Sequence, residues 1–308
     1  MTQKNLLEDR VVIVTGGGRG LGRSHCLELA AHGATVVVND IGVSLDGGQA
    51  DDGPAQEVVD TIRGAGGTAM LGPGSASDWD AMGDVVATTV STFGRLDAIV
   101  NNAGILRDSV IVNLTEQDWD AVLDVHLKGT FTLTRHACAH WRSAHKSGQP
   151  VRGRIVNTTS GAGLAGNVGQ SAYSAAKAGI IALTQVTAME GARYGVTANA
   201  ISPIAATRMT ASAGLGTEVS EGWSPLDPEN ASPVVAWLCS EQSGWFTGQV
   251  LRIDGNELIA MEPWRTGRSF VAQSGERLDA AEIDLGMRQA LGAFPGGLAA
   301  LGSPAVSR

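Results

Sequence analysis

Cysteine is scarce in this chain of 308 residues: Cys26, Cys138 and Cys239 lie far apart, and no CxxC pair occurs. Such spacing supplies neither a disulfide framework nor a metal-ligand set, and it fits reduced thiols packed as small core residues. No metal site is expected. Aromatic residues are few, at 5%, and only Tyr173 and Tyr194 are tyrosines, so any chemistry that needs a phenol has two candidates. No apolar run approaches the roughly 20 residues needed to cross a bilayer. The opening MTQKNLLEDR has no secretory apolar core, and the terminal AVSR is not a peroxisomal SKL-type signal. A cytoplasmic protein without a membrane span is therefore expected. Basic residues are outnumbered, 22 to 31, giving a net charge of -9 and a pI near 5.1, which argues against nucleic acid or an anionic membrane as main partner. No repeat with a period of roughly 20–50 residues and no long linker interrupts the chain.

What the sequence does hold is glycine, 41 residues of it, in a chain that is 43% hydrophobic and 31.7 kDa in mass. Short β-branched runs stand at VVIV (11–14), TVVVN (35–39), LDAIV (96–100), RIVNT (154–158), VTANAI (196–201) and QVLRI (249–253). Helical periodicity fills 20–32, 54–65, 78–93, 118–145, 171–194 and 228–240. Strands and helices in alternation predict a parallel sheet with helices on both faces, and near-continuous apolar strands are those of a sheet covered on both sides. The fold class expected is α/β: a single Rossmann-like, doubly wound domain over 1–260, followed by a C-terminal extension over 261–308. Within the extension, 276–291 reads as an amphipathic helix. The Gly/Asp-rich stretch 42–53 reads as an exposed loop, and the small-residue stretch 208–225 as a substrate lid.

TGGGRGLG (15–22) follows the first strand directly and opens the first helix near Leu21. Gly16 permits a tight turn, Gly20 lets the backbone approach a pyrophosphate, and Gly22 lets helix and strand pack closely. The helix N-terminus offers N–H groups and a favourable dipole to the anion. Asp40 ends the second strand 18 residues after Gly22, where a carboxylate accepts hydrogen bonds from ribose hydroxyls. It would repel the 2′-phosphate of NADP. Arg19 in the turn pulls the other way, but Asn39 and Ile41 beside Asp40 supply no cation. NAD is the expected cofactor.

In SAYSAAKAG (171–179), Tyr173 and Lys177 stand at i and i+4 and share one helix face. A free phenol has a pKa near 10, and a nearby ammonium lowers it, making Tyr173 an acid or base for a carbonyl/alcohol pair. Spacing alone favours the plainer reading, an exposed helix pair.

TGGGRGLG, NNAG (101–104), Ser160, the Tyr173–Lys177 pair and SPIAATRM (202–209) together resemble the short-chain dehydrogenase/reductase family, over about residues 7–258. The resemblance implies a Rossmann-like oxidoreductase that moves a hydride between a nicotinamide cofactor and a carbonyl/alcohol pair, as a homodimer or homotetramer. It implies that Ser160 holds the substrate oxygen and that Lys177 also binds the nicotinamide ribose. Asn102, Ala103 and Gly104 would support the cofactor ribose, and Pro203, Ile204 and Thr207 would contact the carboxamide. Two positions depart from the family pattern. Ser75, followed by Ala76, stands where an Asp commonly contacts adenine, and His126 stands where many members carry an Asn that helps hold a proton-relay water. His126 is accordingly a catalytic candidate, with a packed scaffold histidine as the alternative.

VHLKGTF, GQSAYSAAKAG, SPIAATRMT and VAWLCSE further resemble the (3R)-hydroxyacyl-CoA dehydrogenase part of peroxisomal multifunctional enzymes type 2 and its bacterial single-domain relatives, 17β-hydroxysteroid dehydrogenase-like members included. That branch implies NAD-dependent oxidation of a hydroxyacyl-CoA, a small-molecule substrate, in fatty-acid or sterol side-chain breakdown. Arg265, Arg268 and Arg277 are candidate cations for its phosphates. The alternatives are a hydroxysteroid substrate, an NADPH-dependent 3-oxoacyl reductase, and a non-enzymatic NAD-binding redox sensor.

Overall fold

Val11–Thr15 (β1) is buried along its whole length, as an apolar run must be when it forms the middle of a sheet covered on both faces. The computed structural model describes residues 5–41, 53–205, 223–262, 269–272 and 280–291. Around β1 lie Thr35–Asn39 (β2), Thr68–Leu71 (β3), Ala98–Asn101 (β4), Arg154–Thr158 (β5), Thr197–Ile204 (β6), Val250–Asp254 (β7) and Glu257–Met261 (β8). They form one sheet in the order β3-β2-β1-β4-β5-β6-β7-β8. The first seven strands are parallel and β8 pairs antiparallel with β7. This is a doubly wound α/β sheet, and its order reverses between β1 and β4, where such folds bind ligands.

The period of two along the strands divides the core. Val12, Val14, Val36, Val38, Val100, Val156 and Ile201 pack on one face, with Leu29 of α1 (Gly20–Ala31), Val58 of α2 (Gly53–Gly64) and Val235 of α8 (Ser232–Cys239). Val11, Ile13, Val37, Ile99, Ile155 and Ala198 point to the other. There they meet Met82 of α3 (Trp79–Phe93), Leu133 and Trp141 of α5 (Gly129–Lys146), and Ala188 of α7 (Ser171–Gly191). Each fully buried Leu, Ile or Val contributes about 1.5–3 kcal/mol, so a one-residue slip of any central strand would forfeit a whole row.

Local signals set several helix ends. Asp78 caps α3 by accepting from the Ala81 N–H at 2.9 Å, and Gly94 closes it at φ 75°. Thr115 caps α4 (Glu116–Leu123) by accepting from Asp118 N–H at 3.1 Å. The helix expected over 118–145 is broken: α4 and α5 are joined by a π-helical turn, Asp124–Lys128, with His126 in it. Wide turns of this kind cluster at functional sites, and apolar periodicity does not signal them. Two strands escaped the pattern as well. β3, TAML, has no β-branched run, and β8, ELIAM, is a half-exposed edge strand.

The chain divides into two compact units, Met1–Met261 and Glu262–Arg308. In the second, Ala280–Leu291 is helical (α9). The stretches 42–52 and 206–222, with most of the expected loop and lid, lie outside the described residues, as do Arg265, Arg268 and Arg277. Among the described residues, no helix is long and apolar enough to cross a membrane.

Candidate active site

The turn between β1 and α1 brings backbone, rather than side chains, to the crevice at the carboxyl ends of β1 and β4. Gly16 and Gly20 adopt φ of 63° and 51°, a region costly for residues with a Cβ. A Cβ on Gly22 would lie 1.9 Å from the Gly16 carbonyl oxygen, so only glycine lets the helix start this close to the turn. Asn102, just past β4, donates from Nδ2 to the carbonyls of Thr15 and Gly16, each at 3.2 Å. Arg19, the residue before α1, makes no side-chain capping bond, and the first turn holds no acidic residue. The start of α1 is thus suited to a phosphate.

Asp40 leaves β2 above the same turn, its Oδ2 accepting from Gly18 N–H at 2.9 Å. A carboxylate fixed there faces the position of an adenosine ribose. Asn39, buried beside it, donates to the carbonyls of Gly72 and Gly74 at 2.7 and 2.8 Å, tying β2 to the segment after β3. In that segment the Ser75 and Ser77 hydroxyls lie 3.1 Å apart. The nearby Asp78 caps α3 through Oδ1.

The candidate reacting groups come from the end of β5 and from α7. Ser160 follows β5 and precedes the short helix α6 (Gly161–Ala165), its Oγ accepting from Ala162 N–H at 3.3 Å. Tyr173 and Lys177 share one face of α7, with Nζ 5.6 Å from the centre of the phenol ring. Nζ donates to the Thr158 carbonyl at 2.6 Å. Burial lowers the pKa of this ammonium to about 7. Burial raises the Tyr173 phenol above its usual value, Ser160 offsets part of that rise, and Asp108 adds to it.

His126 is 1% exposed and stands edge-on to Tyr173. Its Nε2 lies 2.7 Å from the Ile105 carbonyl oxygen and 3.1 Å from the Ile105 nitrogen, while Nδ1 is buried without a partner. The two bonds exclude each other: Nε2–H donates to the carbonyl in one tautomer, and bare Nε2 accepts from the Ile105 N–H in the other. Burial and the charge on Lys177 lower the ring's pKa to about 3. A Cβ on Gly104 would lie 2.3 Å from the ring's Cε1, so glycine there makes room for the imidazole.

One cavity of about 290 Å³ collects nearly all of these groups. On the turn side it is lined by Gly16, Arg19, Gly20, Leu21, Asp40, Ser75 and Ala76. On the other it is lined by Asn102, Ala103, Gly104, His126, Ser160, Tyr173, Lys177 and Pro203. Gly22 stands behind the turn, and Ile204 ends β6 without lining the cavity. Thr207 lies outside the described residues. The cradle of glycines, the free start of α1 and the carboxylate above it fit a dinucleotide.

Some supporting residues are silent in the sequence. Asn101 and Asn157 are register partners on β4 and β5. Asn101 donates to Asn157 Oδ1 at 2.8 Å and to Thr134 at 3.0 Å, and Asn157 donates to Thr184 at 2.8 Å. This buried chain of amides and hydroxyls joins the two strands to α5 and α7. A polar residue inside an otherwise apolar strand was the available signal, and it did not name a partner. Thr158 also escaped notice, because it holds Lys177 through its main chain.

Three comparisons extend this description. The family model described as short chain dehydrogenase matches residues 10–217. The chain is 42% identical over 290 residues to the hydroxyacyl-CoA dehydrogenase ChsB1 of Mycobacterium tuberculosis, covering 92% of this chain and 88% of that one. It is 45% identical over 274 residues to the peroxisomal multifunctional enzyme type 2 of Drosophila melanogaster, covering 83% of this chain and 44% of that enzyme. The crystal structure of a short chain dehydrogenase from Mycobacterium avium superposes with a TM-score of 0.86 at 48% identity, over 97% of this chain and 100% of that one.

Proposed function

The chain belongs to the short-chain dehydrogenase family, and from that premise we propose that it oxidises the hydroxyl of a (3R)-hydroxyacyl-CoA to the ketone with NAD. It is an oxidoreductase that uses a nicotinamide cofactor. The observation that carries the reading is the convergence of Ser160, Tyr173 and Lys177 with the glycine turn on one cavity. A bound nicotinamide supplies the hydride acceptor. Ser160 donates a hydrogen bond to the substrate oxygen, and Tyr173 Oη takes the hydroxyl proton. Lys177, when protonated, favours the phenolate that this transfer needs. Its Nζ is held by the Thr158 carbonyl and is positioned to pass the proton on.

His126 acts in this scheme by position. A ring with a pKa of about 3 carries no charge at neutral pH, and its Nε2 is bonded to the Ile105 main chain. It fixes the 104–105 backbone and one edge of Tyr173. The choice of NAD rests on Asp40, whose carboxylate disfavours a 2′-phosphate by several kcal/mol if desolvated, at about 4 kcal/mol per charge pair. The thioester substrate rests on the hydroxyacyl-CoA dehydrogenase named among the relatives. Assembly as a homodimer or homotetramer, in a reducing cytoplasm that suits three free thiols, completes the reading.

The test is a panel of hydroxyacyl-CoAs and free hydroxysteroids with NAD and with NADP. Thioester oxidation preferring NAD is expected. Efficient turnover of a free hydroxysteroid without thioester oxidation would overturn the substrate assignment.

A further inference from the structure

The amino-terminal ends of the strands, at the opposite edge of the sheet from Ser160 and Tyr173, hold a second concentration of charge. Arg10 precedes β1, Asp97 precedes β4, Arg154 opens β5, and Arg152 and Glu241 lie beside them. Asp97 is matched by Arg95, which donates to both of its carboxylate oxygens at 2.7 Å. Asp9 also faces Arg95. Asp97 also faces Arg10, and Arg10, Arg152 and Arg154 gather around the carboxylate of Glu241. Arg152 donates to Glu241 Oε2, while Arg10 Nη1 is 4.0 Å from Oε1. Arg10 and Arg154 are each 4% exposed.

Not all of this charge is satisfied. Arg154 gives Nε to the Ser240 carbonyl and Nη1 to the Gly153 carbonyl, each at 2.9 Å, and its Nη2 has no hydrogen-bond acceptor among the described residues. Arg10 Nε and Nη1 are buried without a hydrogen-bond partner. Burial, together with the charges of Arg10 and Arg152, lowers the pKa of Arg154 to about 10, which still leaves it charged at neutral pH. Buried guanidinium donors left without an acceptor are costly, and here they occur in a chain whose net charge is -9.

Arg152, Arg154 and Glu241, but not Arg10, border a cavity of about 360 Å³, whose wall also includes Thr197, Gly244 and Thr247. Thr197 Oγ1 is buried and unpartnered. Thr247 Oγ1 accepts from Ala198 N–H at 3.2 Å, which leaves its own proton to donate. We propose that this cavity is a binding site for a small phosphate-bearing anion, held by Arg154 and Arg152 and separate from the dinucleotide crevice. Two guanidiniums and the Thr247 hydroxyl present donors from several directions, which suits a tetrahedral oxyanion with three or more acceptor oxygens. Glu241 competes for the same arginines. A ligand there clamps the amino ends of β5 and β6, whose carboxyl ends lead to Ser160 and Pro203.

The experiment uses the full chain saturated with NADH, so that the glycine turn is already occupied. Inorganic phosphate is titrated against chloride at matched ionic strength and followed by phosphorus NMR and by thermal unfolding. Saturable binding that raises the melting temperature is expected. Glu241→Gln removes the competitor and tightens binding, whereas Arg152→Gln, at an exposed position, weakens it, each by roughly tenfold. Arg154→Gln abolishes binding. If that variant does not fold, the opposite signs of the other two still decide. No saturable binding in the parent protein, or equal affinity in Glu241→Gln and Arg152→Gln, overturns the proposal.

Discussion

The imidazole of His126 stands edge-on to the phenol of Tyr173, with ring centroids 5.2 Å apart and planes at 82°. This contact, with the Nε2 bond to the Ile105 main chain, holds the ring between the Tyr173 phenol and the Gly104–Ile105 backbone. His126→Asn should lower kcat about tenfold, leave NADH affinity unchanged, and preserve the shape of the pH–rate profile between pH 5 and 9, because the ring is neutral throughout. Loss of an acidic limb in that profile would assign the ring a proton-transfer role instead. Gly104→Ala pushes a Cβ into the ring and should also lower kcat. Adding His126→Asn to it should restore part of the loss, which separates a steric pair from two independent defects.

Tyr173→Phe removes the group that takes the hydroxyl proton and leaves the ring's packing. Oxidation should fall by roughly three orders of magnitude, while NADH fluorescence titration gives a near-normal Kd. An active Phe variant would mean that another group accepts the proton.

Asp40→Asn keeps an acceptor for Gly18 N–H and removes the charge. The ratio of kcat/KM for NAD over NADP should then move toward NADP by roughly two orders of magnitude. An unchanged ratio would show that Asp40 does not face the ribose.

Lys177 is retained against stability. Its folded pKa of about 7 lies below the ordinary 10.5, so between those values the unfolded chain binds more protons than the folded one. Stability from this group therefore rises with pH across that window, and the full penalty applies below pH 7. Lys177→Met should abolish turnover. It should also stabilise the cofactor-free protein against urea, by on the order of a few kcal/mol at pH 6 and less at pH 9. An equal effect at both pH values would place the lysine's cost elsewhere than in its charge.

Much of this arrangement is legible along the chain. The glycine turn, Asp40 and the Tyr173–Lys177 pair are local patterns: each is set by positions a fixed distance apart on a turn, a strand end or one helix face. The strands β1, β2 and β5 announce themselves because burial on both faces demands unbroken apolar runs. β3 and β8 do not, since one is short and unbranched and the other is half exposed. The π-helical turn at His126 was hidden for a different reason. It inserts into an otherwise continuous helical pattern and is stabilised by contacts with Ile105 and Tyr173, which the sequence keeps apart.

The sequence by itself determined the α/β class, the glycine turn and the candidate Tyr173–Lys177 pair, because each depends on positions within one element or one turn. Tertiary structure decided the setting of His126, because burial sets its charge and its Nε2 bonds to the main chain of another segment. It also decided that arginines from distant positions meet at the far edge of the sheet. Those outcomes depend on which strands become neighbours, and strand order is a property of the packed sheet.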